Sequence, residues 1–254
     1  MMGYFKNFIA RAPGFGRGVG LSLLAIGIVV LSPMASATIL ALGPCPAANP
    51  GDTVTPCLAN GQGPGTLLAS LSAPFVSTLG TNSGTLVSAV FREAGGTLDF
   101  YYQVFTNTTA PNCGTAGKPT CDPISRETDT NFSTWLTQLA FRTDGSTLPG
   151  GLFVNGDTTP QTADRNVNPG DVIGFTFNGA PTPSPIQPGH TGNVLVISTD
   201  ATFFTAGNAS VIDGGITTVA SFQPTTGVPE PASFALLGLG LVALGGLSRR
   251  IKNR

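Results

Sequence analysis

The sequence predicts an all-β fold: a single antiparallel β-sandwich ectodomain, with an N-terminal signal helix before it and a C-terminal transmembrane helix after it. Three observations predict this. Runs rich in β-branched and aromatic residues recur through the middle of the 254-residue chain. Turn dipeptides such as Asn60-Gly61, Asp144-Gly145 and Asp213-Gly214 separate them. Long uncharged apolar runs lie only at the two ends.

Residues 1–37 have the order of a secretory signal peptide. Lys6, Arg11 and Arg17 form a basic leader, VGLSLLAIGIVVL (19–31) an apolar run, and Pro33 a helix breaker. Ala35 and Ala37 then supply the small residues of a cleavage site, placing the cut after Ala37. The glycines of GFGRGVG (14–20) lie inside this leader, not between a strand and a helix, so they are not a phosphate-binding loop.

The ectodomain is expected over 38–222. Its first part, 38–65, is rich in proline and glycine and holds Cys45 and Cys57. Strands are expected at 66–71, 85–93, 97–109, 132–143, 151–156, 171–177, 193–204 and 215–222. In the run at 97–109, Leu98, Phe100, Tyr102 and Val104 share one face and read as core. Thr97, Asp99, Tyr101, Gln103 and Phe105 share the other, a mixed face. Trp135, in a run that favours strand over helix, is expected in the core. Pro181, Pro183, Pro185 and Pro188 stiffen a long surface loop.

The four cysteines form two local pairs, Cys45 with Cys57 and Cys113 with Cys121. In an oxidising compartment these spacings predict disulfides, and neither matches a paired C-x2-C zinc knuckle. Between 38 and 228 lie five basic and twelve acidic residues, a net charge of −7. That balance excludes a nucleic-acid partner.

Chemical candidates are few. His190 in QPGHTG is the chain's lone histidine, with no G-x-S-x-G nucleophile elbow to serve. Asp122, Glu127, Asp129 and Asn131 place oxygens at spaced positions in CDPISRETDTN but lack the EF-hand spacing, so this stretch reads as a solvated acidic loop and no metal or cofactor is assigned. Glu93, Asp99 and Glu127 are the carboxylates available for a glycosidase pair. Tyr101, on the mixed face, is the candidate ligand contact, placed to stack on a sugar ring.

Residues 223–231, QPTTGVPEP, form a proline-rich linker, and 232–254 a transmembrane segment with a basic tail. The uncharged run 232–247 spans only about 24 Å as a helix, short of the roughly 30 Å hydrocarbon core. Its glycines at 238, 240, 245 and 246 weaken it further, by about 1 kcal/mol each against alanine. A permanent anchor has little use for a span both short and glycine-loaded. The basic end (Arg249, Arg250, Lys252, Arg254) fits the cytoplasmic flank of an inner-membrane segment.

Pro229-Glu230-Pro231, followed by a Gly/Leu/Ala-rich span and a basic terminus, resembles the PEP-CTERM sorting signal of Gram-negative bacteria. The resemblance implies recognition by an exosortase, a membrane transpeptidase, with processing near the triplet. It also implies an exported protein, tethered to the cytoplasmic membrane before it reaches the cell surface or extracellular matrix of an exopolysaccharide- and biofilm-forming cell. GGTLDFYYQVFTN (95–107) and LVISTDATFFTAGNASVIDGG (195–215) resemble an ectodomain type recurrent in such proteins, which carries no activity to transfer. The expectation is a non-enzymatic structural or interaction protein, with a carbohydrate-binding module as the alternative and a secreted hydrolase behind it.

Overall fold

A computed structural model describes residues 45–117, 120–178 and 185–227. The expected signal segment with Ala35 and Ala37, the prolines at 181 and 183, the Pro229-Glu230-Pro231 triplet and the basic tail lie outside the described residues.

Twelve strands form the described chain: β1 (Thr53–Val54), β2 (Cys57–Leu58), β3 (Thr66–Val76), β4 (Ser83–Arg92), β5 (Leu98–Thr106) and β6 (Arg126–Asp129), then β7 (Thr137–Arg142), β8 (Thr162–Arg165), β9 (Ile173–Thr176), β10 (Val194–Thr199), β11 (Phe203–Ile212) and β12 (Ile216–Thr225). They make two six-stranded sheets, in the orders β2-β7-β10-β5-β4-β3 and β1-β8-β9-β6-β11-β12. Every pairing is antiparallel except β2 with β7, which is parallel. The all-β, two-sheet expectation therefore holds.

The inner faces meet in a core that follows strand alternation. Leu98, Phe100, Tyr102 and Val104 of β5 all enter it as expected, beside Leu86 and Val90 of β4 and Leu195 and Ile197 of β10. The second sheet contributes Ile173, Phe175, Ala209, Val211 and Val219. Phe132 closes one end against Phe100, ring centroids 5.6 Å apart and edge-to-face.

Several expected strands differ. The run 193–204 splits into β10 and the start of β11, because the chain crosses between sheets at 200–202. There Asp200 accepts the Leu136 N–H and the Ala201 carbonyl accepts the Leu98 N–H, each at 2.9 Å. The run 132–143 is strand only from Thr137; residues before it turn, and Trp135 is half-buried at that turn rather than in the core. Residues 151–156 form no strand. The acidic stretch expected as a solvated loop contains β6, a fully paired strand between β9 and β11.

Both expected disulfides form, with Cα separations of 5.1 Å (Cys45–Cys57) and 4.9 Å (Cys113–Cys121), inside the range the bond requires. The second fixes the crossover from β5 to β6 against the β3–β4 turn. Asn82 reaches the Asp122 carbonyl at 2.6 Å, and the Asp122 N–H reaches Thr81 at 2.9 Å.

Arg165, at the end of β8, ties three loops together. Its guanidinium is buried and donates to the carbonyls of Gly170 (2.6 Å), Ala48 (3.1 Å), Trp135 (3.0 Å) and Phe132. Only a planar fork serves four carbonyls from separate segments at once; a lysine ammonium does not. Replacing it by methionine leaves these buried acceptors without donors, each costing about 1–3 kcal/mol. Arg165→Met is expected to lower unfolding free energy by roughly 3–5 kcal/mol in denaturant titration, and Arg165→Lys to recover little of it.

Candidate functional site

The outer face of the first sheet is covered. Residues 45–62 and 144–155 lie across it and build a second apolar cluster with Val87, Phe91, Tyr101, Ala140 and Val196, to which they add Cys45, Ala59, Leu148 and Phe153. Gln103 holds the overlying segment in place. Its amide donates to the carbonyls of Val154 and Gly192, each at 2.9 Å, and accepts the Val154 N–H at 3.0 Å.

This layer overturns the role expected for Tyr101. The ring is 2% exposed, edge-on to Phe91 at 4.7 Å and tilted against Phe153 at 6.2 Å. Burial pushes its hydroxyl well above the ordinary tyrosine value, with Asp99 adding to the effect. No face is free to stack on a sugar. The polar residues of the mixed face are dry as well: Asp99 and Gln103 are buried beneath the covering segments.

Among the described residues carboxyls approach each other in two places, Glu127 with Asp129 and Glu93 with Asp99. On β6, Glu127 and Asp129 point inward by strand alternation, in register with Phe175 and Val211, and with Ile173 and Ala209. Glu127 is 0% and Asp129 1% exposed. The nearby Tyr102 hydroxyl donates to the Phe222 carbonyl at 2.8 Å, and the two carboxyls lie close enough to hydrogen-bond each other. Burial raises the Glu127 carboxyl to about 8, partly offset by Asp129 and Arg126, and raises Asp129 well above its ordinary value, with Glu127 reinforcing it. The second pair, Glu93 and Asp99, lies on the outer face; there burial raises the Asp99 carboxyl against a hydrogen bond from Ser198.

Of the outward residues of β6, Thr128 is buried and Arg126 is partly exposed. Arg126 forks onto Asp164 of β8, with an Nη2–Oδ1 bond of 2.8 Å, and crosses Gly174 of β9 to do so. A Cβ at Gly174 would sit 2.0 Å from the Arg126 Nη2, so only glycine lets the guanidinium lie on the sheet.

The four oxygen-bearing residues considered together in the sequence separate: Asp122 lies on the disulfide loop, Glu127 and Asp129 face the core, and Asn131 is exposed. Among the described residues no three acidic, histidine or cysteine side chains converge. His190 pairs through Nδ1 with Asp157 at 2.8 Å, both side chains about half exposed. Burial alone would raise the Asp157 carboxyl, but Thr158, His190 and Thr191 outweigh it and hold it below its ordinary value. Among the described residues no serine or cysteine is hydrogen-bonded to the imidazole, so no nucleophilic triad is assembled.

The remaining candidate lies beyond β12. That strand ends at Thr225, paired with Phe203, and the Pro229 triplet begins four residues later. Residues 227–250 match the family model of the PEP-CTERM protein-sorting motif. The chain carries a PEP-CTERM sorting motif. Such a motif marks an exported protein that an exosortase recognises and sorts. No curated protein and no solved structure matches the chain. Among the described residues no helix is long and apolar enough to cross a membrane, and the apolar segment inside the motif lies outside them.

The core pair sets a pH dependence. Both folded-state values lie above the unfolded ones, so the stabilisation is complete below about pH 4, the unfolded carboxylate value, and is lost as pH rises toward about 8, the folded Glu127 value. The melting temperature is expected to fall between pH 5 and pH 8, by the equivalent of a few kcal/mol. Glu127→Gln, neutral throughout, is expected to flatten that fall, measured by calorimetry across the range.

Proposed function

We propose that this PEP-CTERM protein is exported through its N-terminal signal, held at the cytoplasmic membrane by residues 232–254, and released when an exosortase acts near Pro229-Glu230-Pro231. It then serves a non-catalytic, structural or interaction role in the exopolysaccharide or biofilm layer at the cell surface. The observation that carries the reading is the motif at 227–250, joined by a few residues to a disulfide-containing β-sandwich. The two disulfides favour an oxidising, extracytoplasmic destination. The leader's order of basic residues, apolar run and small residues supports export.

The apolar span supports a temporary tether: it is short, glycine-loaded and closed by arginines that can snorkel to the interface.

In the native host, mass spectrometry of the mature protein is expected to find a start at Thr38 and a C-terminus near the triplet. Replacing Pro229, Glu230 and Pro231 together by alanine is expected to keep the chain intact to Arg254 and at least tenfold enriched in the membrane fraction. A wild-type mature protein ending at Arg254 would overturn the reading and leave a plain anchor.

A further inference from the structure

The outer-face carboxylate pair is built differently from the core pair. The β4–β5 hairpin turns through residues 93–97, where the Glu93 N–H donates to the Thr97 carbonyl at 2.9 Å. Strand alternation continues through this pairing, so Glu93 and Thr97 stand opposite each other on the face that carries Phe91 and Asp99, which are also in register. Ser198 of β10 lies beside Asp99 in register and donates its hydroxyl to Asp99 Oδ1.

All of these side chains are buried: Glu93 is 7%, Thr97 1%, Asp99 1% and Ser198 0% exposed. Three oxygens on three residues, Glu93 Oε1, Asp99 Oδ2 and Thr97 Oγ1, nevertheless have no donor outside the set, and the two carboxyls lie within hydrogen-bonding reach of each other. Among the described residues no lysine or arginine forms an ion pair with either carboxylate. Arg142, lower on the same face, is engaged by Asp144, and Asp200, at the same end, already accepts the Leu136 N–H.

A proton shared between Glu93 and Asp99 would relieve the repulsion of two adjacent carboxylates. It would leave the Thr97 hydroxyl oxygen, buried and neutral, still unpartnered. A hard cation uses both carboxylates and the hydroxyl together, and Glu93 is the member of the set nearest to solvent. The donors are all oxygen, with no nitrogen or sulfur, which favours calcium over zinc or copper.

We propose that Glu93, Thr97 and Asp99 form a calcium-class divalent-cation site on the outer face of the first sheet. With two carboxylates and neutral oxygens the site belongs to the weak, extracellular range of dissociation constants, on the order of 10⁻⁴–10⁻³ M. Filled, it fastens the β4–β5 turn to β10 beneath the covering layer. The proposal stands independently of the sorting role.

Calcium chloride titrated into the full chain in detergent, followed by calorimetry, is expected to give one site per molecule and a higher melting temperature. Glu93→Gln and Thr97→Val are each expected to weaken binding at least fivefold. Glu127→Gln, which alters the core pair alone, is expected to leave it unchanged. Asp99→Asn tests the third ligand, and the more exposed Glu93→Gln keeps the test valid where Asp99→Asn fails to fold. Absence of calcium-dependent heat and of any melting shift would overturn the proposal. So would binding that survives Glu93→Gln, or binding lost in Glu127→Gln instead.

Discussion

The side-chain amide of Gln103 behaves like a stretch of backbone turned out of its strand. It donates twice, to the carbonyls of Val154 and Gly192, and accepts the Val154 N–H, so the segment over the first sheet is held by a ladder-like contact with a single side chain. The position is 0% exposed, where each of these groups would otherwise be orphaned at a cost of about 1–3 kcal/mol. Much else depends on that cover. It buries β5 on both faces, seats Tyr101 between Phe91 and Phe153, and removes the Glu93–Asp99 pair from bulk water. An ordinary sandwich leaves its outer faces wet; here one is a second, smaller core.

Polar groups inside such a structure must be matched locally, and the protein does so by different means. Arg165 is matched by backbone carbonyls, Gln103 by backbone on both sides, and Asp99 partly by Ser198. Glu127 and Asp129 are matched mainly by each other and by protons they hold, which makes them costs to stability that grow with pH. The pair on β6 stands in register with Phe175, Val211, Ile173 and Ala209.

The sorting motif begins just past the end of the sandwich. The chain leaves β12 beside Phe203, and within four residues it reaches a triplet that another protein reads. Reading a short linear signal depends on a contiguous string of residues rather than on the fold that precedes it. The address is therefore independent of what the domain does, and a domain with no match among solved structures can still carry a legible destination.

The sequence by itself determined the all-β class, the inward set of β5, both cysteine pairs and the sorting motif. Each rests on local information: alternation with a period of two, spacings of a dozen residues or fewer, or a contiguous string. Only the tertiary structure decided which faces are dry. Asp and Glu in RETD read as a solvated loop because charge normally marks exposure, yet β9 and β11 claim those residues as a central strand and turn two carboxylates inward. Tyr101 read as exposed because its strand alternates, and alternation reports two faces without saying what covers the second. The covering residues, Phe153 and Ala59, are tens of residues away in sequence, and no local pattern near Tyr101 records their arrival.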